Sequence, residues 1–303
     1  MLESAVKEHG VDVQYGHKFS HVVAESSSGV TFHLADGVQR RADLLIGADG
    51  INSAVRQYIA GPVKPVFMGF GGLGAEVPRS ALQFSADYPE TMLPVSVKHG
   101  RTVVNLVPQD NDGSKIFVGK GGMMEARSQA EWNALEADPA AMSELYNQDL
   151  EEFPDLVKSA IENIDYSKAY IWPVHVMPKL NSWTSSQHHR VAILGDASHA
   201  MSPITGQGAN QSFEDAYMLA TVLADMPDSV SLEDAMAFWQ GQRMRRVHEI
   251  MDKLMVPGPG KGPVLETKSK LAALAASGGK RGDAWLYDVD TKKEVDAWVN
   301  SFS

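Results

Sequence analysis

The chain has 303 residues, no cysteine and a formal net charge of −11 at pH 7. Without cysteine, disulfide bonds, thiolate metal ligands and a cysteine nucleophile are excluded, and the acidic balance argues against a nucleic-acid partner. Hydrophobic residues make up 44% of the sequence and charged residues 21%, a balance typical of ordinary folded domains. No run of about 18 apolar residues predicts a transmembrane segment. The first residues lack a signal peptide's apolar core, which favours a cytoplasmic location.

The N-terminal part alternates apolar and polar residues. Residues 11–48 predict short strands, beginning near Val11, with a turn at Asp36-Gly37. This meander leads to an apolar strand at Leu44–Ile46, and the turn after that strand delivers the carboxylate of Asp49. Ser53 is placed to cap a short helix that begins near Ala54.

The middle of the chain changes character at about residue 62. Residues 62–122 contain several strands separated by glycine and proline, which predicts a mostly antiparallel sheet. The following apolar patterns predict helices near residues 129–135, 140–153 and 156–163. A strand over residues 170–176 then closes this region.

The most informative segment begins at a short apolar strand, Val191–Leu194. The carboxylate of Asp196 follows this strand, at the end where open α/β sheets bind their ligands. A glycine-rich loop over residues 203–210 then leads into a helix, whose first N–H groups are free to bind electron-rich oxygens. The predicted buried face of that helix comprises Phe213, Ala216, Tyr217, Ala220 and Leu223.

A second helix is predicted from Leu232 to about Met255. The segment Pro257-Gly-Pro-Gly-Lys-Gly-Pro263 is a linker by composition, and a tail containing Ala284-Trp-Leu-Tyr-Asp288 follows it.

Two motifs together resemble a known family. Gly195-Asp196-Ala-Ser-His199, with Pro203 and Gly206-Gln-Gly-Ala-Asn210, resembles the second flavin fingerprint of FAD-dependent aromatic hydroxylases. These are the salicylate-hydroxylase-like enzymes with the p-hydroxybenzoate-hydroxylase fold. Gly47-Ala-Asp49-Gly50, about 140 residues upstream, looks like their Asp-Gly motif. The tail around Trp285 is also similar to the end of such chains.

The resemblance implies a mixed α/β (α+β) fold. An incomplete Rossmann-like FAD-binding domain would consist of residues 1–61 and 170–256, with an antiparallel β-sheet substrate domain inserted at residues 62–169 and C-terminal helices. Residues 257–303 would be a linker and tail. The family opens with a G-x-G-x-x-G unit that binds the ADP part of FAD. No such motif followed by a helix precedes Asp43, so the N-terminal ADP-binding unit is expected to be lacking.

The resemblance also implies the chemistry. FAD would be the cofactor and NADH or NADPH the co-substrate, and molecular oxygen would react through a flavin C4a-hydroperoxide that gives one oxygen atom to the substrate. Asp196 would accept hydrogen bonds from ribityl hydroxyls, Pro203 would lie along the flavin rim, and the following backbone would contact the pyrimidine end of the ring. The candidate cofactor-binding residues are Asp49, Gly195, Asp196, Pro203, Gly206, Gln207, Gly208, Ala209 and Asn210.

Several residues have competing interpretations. Asp49 could instead close a local turn, Arg56 could be a solvated or paired surface charge, and His199 could serve only to hold its loop by hydrogen bonding. His175 is the candidate for a catalytic base, although a histidine in an apolar strand is more often a core residue. The pair His188-His189 lacks a third ligand, so no metal site is predicted.

The sequence also allows alternative interpretations of the substrate and of the overall function. Aromatic-hydroxylating relatives often carry a Tyr-Arg pair where this chain has Leu73-Gly74. That departure favours a small hydrophobic or aromatic substrate over a salicylate-type one. The alternative to a monooxygenase is a non-catalytic remnant or truncated homologue that keeps the substrate-binding half and binds FAD weakly or not at all. The sequence gives no indication of oligomeric state.

Overall fold

The computed structural model describes residues 2–254, 284–287 and 289–302. The linker predicted at 257–263 lies outside these ranges. The helices are α1 (Leu2–Glu8), α2 (Ala54–Ala60), α3 (Gln129–Glu136), α4 (Pro139–Asn147), α5 (Asp155–Glu162), α6 (Asp196–His199), α7 (Gly208–Asp225), α8 (Leu232–Leu254), α9 (Ala284–Tyr287) and α10 (Thr291–Asn300). The strands are β1 (Phe19–Ser26), β2 (Gly29–Leu34), β3 (Gln39–Ala42), β4 (Leu45–Gly47), β5 (Val66–Pro78), β6 (Val95–His99), β7 (Thr102–Pro108), β8 (Lys115–Met123), β9 (Tyr170–Val176) and β10 (Val191–Ile193).

The chain divides into two compact units. In the first, which holds the described residues up to 66, from 176 to 254 and from 284 onward, β1, β2 and β3 form the predicted antiparallel meander. Strands β4 and β10 form a parallel pair, with Leu45 opposite Val191 and Gly47 opposite Ile193. Large apolar side chains from α7 and α8 pack with β10 in the core of this unit, among them Ile193, Met218, Met236, Trp239 and Ile250.

The second unit, residues 67–175, is built on a five-stranded sheet in the order β6-β7-β8-β5-β9. Neighbouring strands from β6 to β5 are antiparallel, with Gly72 opposite Gly121 and Gly74 opposite Gly119. Side chains of β5, β7 and β8 form a core with helices α3, α4 and α5, including Leu106, Ile116, Met142, Leu156 and Ile161. The mixed α/β class with antiparallel sheets and C-terminal helices is therefore confirmed.

The boundary between the units differs from the predicted one. The predicted FAD-binding domain resumes at Tyr170, whereas β9 (Tyr170–Val176) lies beside β5 in the sheet of the second unit. The first unit resumes at Val176 instead. An apolar strand is compatible with either sheet, so only its pairing decides the boundary.

Two further predictions are wrong. The strand expected near Val11 is absent, since residues 11–15 are unpaired and both Val11 and Val13 are exposed. On α7, the face predicted to be buried is exposed, with Phe213 at 61% and Tyr217 at 53% accessibility. The buried face instead carries Gln211, Asp215, Met218, Leu219 and Val222. Hydrophobicity alone selects the wrong side because two polar residues on the inner side find buried partners.

No helix among the described residues is long and apolar enough to cross a bilayer.

A buried lysine ends α4. The side chain of Lys120, on β8, is 6% exposed, and its Nζ donates hydrogen bonds to the carbonyl oxygens of Leu145, Tyr146 and Gln148 at 3.0, 2.8 and 2.5 Å. These carbonyls lie at the C-terminal end of the helix, where a cation is favoured by the helix dipole. Asp149 then adopts a left-handed conformation, so α4 stops at Asn147 instead of continuing to residue 153 as predicted. Burial lowers the pKa of Lys120 to about 8.

We expect Lys120→Met to lower the free energy of unfolding by about 2–3 kcal/mol, because buried carbonyls lose their donor. The matched control is Lys98→Met on β6, where the lysine is exposed, and its effect should stay within about 0.5 kcal/mol. Urea denaturation of both variants measures the difference. Equal stability of the two variants would show that the Lys120 cap contributes nothing.

Candidate functional site

The Gly195–Asp196 turn follows β10 after one residue, Leu194, and the three residues of β10 are fully buried. Gly195 has φ +60°, and a Cβ at this position would lie 2.8 Å from Ser212 Oγ, so only glycine fits the turn. Asp196 is exposed, and its carboxylate accepts no hydrogen bond from the residues that the structure describes. The side chain lies over the beginning of α7, with Oδ1 4.0 Å from where a Cβ of Gly208 would be.

The beginning of α7 offers hydrogen-bond donors. Gln207, at the N-cap, makes no side-chain capping bond, and the first helical bond of the 18-residue helix runs from Gln211 N–H to the Gln207 carbonyl. In the described part of the chain, the N–H groups of Gly208, Ala209 and Asn210 therefore have no acceptor. Three free N–H groups at the positive end of a long helix favour a ligand with oxygen acceptors or negative charge.

The loop before α7 presents most of the other predicted residues. Pro203 begins a short 3₁₀ helix, Pro203–Thr205, and Gly206 follows in a left-handed conformation with φ +63°. Pro203 and Gly206 are exposed, whereas the Gln207 side chain is buried and faces Gln211. The predicted role of Gln207 can therefore involve its backbone only.

These groups fit the flavin and ribityl parts of FAD. A carboxylate without a protein donor suits sugar-type hydroxyls, and adjacent free N–H groups suit the carbonyl oxygens of a pyrimidine ring. Both are on one surface of the first unit, because Asp196 lies against the first residue of α7. Among the described residues no group of three or more His, Asp or Glu side chains is arranged to hold a metal ion.

Asp49 is engaged by the helix that follows it. Its Oδ2 accepts hydrogen bonds from the N–H groups of Ala54 (2.7 Å) and Val55 (3.3 Å) at the start of α2. Ser53 Oγ accepts from Arg56 N–H at 2.9 Å, which confirms the predicted cap. The local role of Asp49 is thus helix capping, and only its second oxygen is available for a cofactor.

Arg56 is the residue of this motif that sequence reasoning undervalued. Its side chain is 3% exposed, and the guanidinium donates to the carbonyl oxygens of Ala197 (2.9 Å) and Ile51 (2.7 Å). Burial lowers the pKa of Arg56, and the charge of Asp49 acts in the opposite direction. The arginine therefore joins the Asp49 motif to α6, instead of being a surface charge. No local sequence signal indicates this contact, because Ala197 lies 141 positions further along the chain.

His175 belongs to the second unit and is half-buried. Its Nδ1 lies 3.0 Å from the carbonyl oxygen of Pro173, and its ring packs against Phe67 with centroids 5.3 Å apart. Since a carbonyl oxygen only accepts, Nδ1 carries the proton in this contact and Nε2 is the basic nitrogen. A catalytic role for His175 stays a prediction.

The second unit carries an aromatic surface, which consists of Phe117, Tyr170 and Trp172. The Tyr170 and Trp172 rings occupy the space above Gly74, where a Cβ would lie 2.5 Å and 2.8 Å from them. Trp172 also covers Gly72, and it stacks on Phe117 with centroids 6.2 Å apart and planes inclined by 24°. These rings lie on the sheet face opposite the core, because alternate residues of β5, such as Leu73, point into the core.

The two positive-φ glycines of the fingerprint allow a comparison. Gly206 is left-handed (φ +63°, ψ +14°), whereas Gly195 (φ +60°, ψ −142°) lies in a region that essentially only glycine adopts. We expect Gly206→Ala to lower the free energy of unfolding by about 1–2 kcal/mol, the cost of a left-handed alanine. Gly195→Ala should cost about 1–3 kcal/mol more, because its backbone region excludes alanine and its Cβ also overlaps Ser212 Oγ. Thermal or urea denaturation measures both. An equal loss would mean that the turn can move away from α7.

The chain matches a known protein family. Residues 1–253 match the family described as "FAD binding domain". Salicylate hydroxylase of Pseudomonas putida is 29% identical over 248 residues, which are 74% of this chain and 52% of that protein. A 6-methylsalicylate 1-monooxygenase of Aspergillus terreus is 25% identical over 257 residues, 78% of this chain and 52% of its own length. The chain thus spans about half the length of the curated relatives it matches.

Solved structures share the fold. The chain matches a salicylate hydroxylase substrate complex with a TM-score of 0.72 and 24% identity, over 97% of this chain and 73% of the other. It matches Klebsiella pneumoniae HpxO, complexed with FAD and uric acid, with a TM-score of 0.67 and 20% identity, over 97% and 69%. Because the family match covers most of the chain, the protein belongs to the FAD-binding-domain family of FAD-dependent aromatic hydroxylases.

Proposed function

We propose that this chain is part of an FAD-dependent monooxygenase that uses NADH or NADPH to insert one oxygen atom of O₂ into a small hydrophobic or aromatic substrate. The observation that carries the proposal is the unpartnered Asp196 carboxylate beside the uncapped start of α7. Family membership supports it, since the similar proteins are named hydroxylases and monooxygenases.

The bound flavin would supply the redox chemistry, accepting electrons from the nicotinamide and activating oxygen. The chain's own residues bind and orient it. Asp196 accepts hydrogen bonds from ribityl hydroxyls, and the N–H groups of Gly208, Ala209 and Asn210 donate to the pyrimidine end of the ring. The positive end of the 18-residue α7 stabilises negative charge there. Gly195, Pro203, Gly206 and the Gln207 backbone shape this surface, and Asp49 contributes its free oxygen.

The aromatic surface of the second unit supports an apolar, planar substrate. Leu73 points into the core, and any side chain at position 74 would overlap the Tyr170 and Trp172 rings. No polar or charged side chain is available at these two positions to bind a phenolate or carboxylate. Offset stacking on an aromatic ring instead contributes about 0.5–1.5 kcal/mol for a flat substrate.

The adenosine part of FAD needs a further binding surface. Within the described residues β4 pairs only with β10, and Ile46 on β4 is 41% exposed. Parallel sheets are normally larger than two strands and covered on both faces. A βα unit that pairs with β4 would provide this surface and complete the cofactor site.

The alternative is a non-catalytic protein that keeps the substrate-binding half. The same exposed edge of β4 favours it, because a site without the adenosine surface loses several kcal/mol of FAD binding. The deciding experiment measures NADH and NADPH oxidation by the FAD-loaded protein with and without apolar aromatic compounds, using ¹⁸O₂. Incorporation of one labelled oxygen atom into product supports the monooxygenase. FAD binding without oxygen consumption under any reductant supports the alternative.

For the chain of 303 residues alone, we expect purification without yellow colour and weak FAD binding, measured by fluorescence titration. Stoichiometric, tight FAD would overturn the requirement for a βα unit on β4.

Asp196→Ala should weaken FAD binding by about 1.5–3 kcal/mol, because ribityl hydroxyls lose a charged acceptor. This corresponds to a rise in Kd of about tenfold to 150-fold. Asp228→Ala, which removes another exposed carboxylate of the same unit, is the control and should leave the Kd unchanged. If both variants bind FAD as well as the wild type, the flavin does not lie against this turn.

Trp172→Ala should raise the KM for an aromatic substrate about threefold to tenfold, through the loss of ring stacking. FAD affinity should not change. Tyr15→Ala removes a strongly exposed aromatic ring of the first unit and serves as control. An unchanged KM in Trp172→Ala would place the substrate elsewhere.

A further inference from the structure

A buried carboxylate lies behind the flavin-binding turn. Asp215 is on the inner face of α7 and is 0% exposed, among the apolar side chains of Met218, Leu219 and Val222. Burying an ionised carboxylate costs several kcal/mol unless it is paired and hydrogen-bonded. The contacts that offset this cost show what the residue holds in place.

One oxygen of Asp215 holds both ends of α6. Its Oδ2 accepts a hydrogen bond from the Gly195 N–H at 2.9 Å and lies 2.6 Å from His199 Nε2. Gly195 directly precedes Asp196, and His199 is the last residue of α6. His199 is itself 2% exposed and packs against Trp183 with ring centroids 5.1 Å apart. The segment that carries Asp196 is therefore fixed at two points by a single atom.

The other oxygen is held from α8. Arg243 Nε donates to Asp215 Oδ1 at 2.8 Å, and the same guanidinium bonds Glu214 Oε2 (2.6 Å) and Gln211 Oε1 (2.7 Å). Burial raises the pKa of Asp215, but His199 and Arg243 outweigh it, so the pKa lies below its usual range. Asp215 is thus ionised at neutral pH and accepts at both oxygens.

We propose that Asp215 is a positioning residue for flavin binding, because it fixes the Gly195–Asp196 turn so that the Asp196 carboxylate stays over the start of α7. The inference rests on the proposed function, in which Asp196 binds FAD. The Asp196 side chain has no hydrogen bond of its own in the described part of the chain. Its orientation consequently depends on the backbone on either side, which Asp215 holds.

The chemistry of the amide makes Asp215→Asn a sharp test. Both oxygens of Asp215 face N–H donors that cannot become acceptors, the Gly195 backbone and the Arg243 guanidinium. An asparagine presents its own NH₂ to one of them, so one donor is left unpaired. Glu214→Gln is the matched control, because it removes the neighbouring charge from the same Arg243 while Glu214 touches neither Gly195 nor His199.

The experiment measures the FAD dissociation constant of the protein by fluorescence titration, and its melting temperature without FAD. We expect Asp215→Asn to raise the Kd about tenfold and Glu214→Gln to leave it within about twofold. In the Asp196→Ala background, Asp215→Asn should produce no further rise in Kd, because the two act through one contact. If Asp215 had only a structural role, Asp215→Asn would lower the melting temperature, and its effect on the FAD Kd would add to that of Asp196→Ala.

The results distinguish a failure of the proposed function from a failure of the positioning role of Asp215. If Asp196→Ala itself does not weaken FAD binding, the proposed function is wrong at this turn. If Asp196→Ala weakens binding but Asp215→Asn resembles Glu214→Gln, or adds fully to Asp196→Ala, the positioning role is wrong. If Asp215→Asn does not fold, His199→Ala takes its place, because it removes the contact of Asp215 with the C-terminal end of α6. His199→Ala should raise the FAD Kd when Asp196 is present but not in the Asp196→Ala background. A rise that adds to the effect of Asp196→Ala would also overturn the inference.

Discussion

The parallel pairing of β4 with β10 is the contact on which the first unit depends. Each strand has three residues, yet the pairing places the turn after Gly47 beside the turn after Ile193. The carboxylates of Asp49 and Asp196 follow these two strands, at the ends where parallel sheets collect ligand-binding groups. Arg56 then links the two turns across 141 positions of sequence through the Ala197 carbonyl. A short sheet can hold this arrangement because residues 183–185 hydrogen-bond to the other edge of β10 and side chains of α7 and α8 pack against it.

In the first unit, the charged side chains that hold the backbone in place are buried, whereas the charged side chain without a partner is exposed. Asp215 and Arg243 are within 3% of complete burial, and each satisfies several partners. Asp196 is exposed and has no partner among the described residues. A buried ion pair adds little net stability compared with apolar packing, but it specifies one geometry because an unpaired alternative is costly. That division suits the proposed role of Asp196, which requires its carboxylate to be held in a single orientation.

The second unit follows a different principle. Its sheet has a helix-covered face made of branched apolar residues, and an opposite face where glycines leave room for aromatic rings. The rings of Trp172 and Tyr170 lie against the strands instead of standing away from them, which gives a flat surface. On the helix-covered side, Lys120 donates hydrogen bonds to carbonyl oxygens at the C-terminal end of α4. In the second unit, side-chain packing therefore holds the aromatic surface in place. In the first unit, hydrogen bonds hold the Gly195–Asp196 turn in place.

The sequence by itself determined the local features. Apolar runs and turn residues predicted the meander, the strands of the sheet, the long helices and the Ser53 cap, because these depend on neighbours within a few residues. The Asp49 and Gly195–Asn210 motifs identified the family for the same reason. Only the tertiary structure decided the buried face of α7, the sheet to which β9 belongs, and the partners of Arg56, Lys120 and Asp215. Each of these depends on a residue far away in the chain: a polar side chain is stable in a core when a distant donor or acceptor meets it, and no local pattern records that meeting.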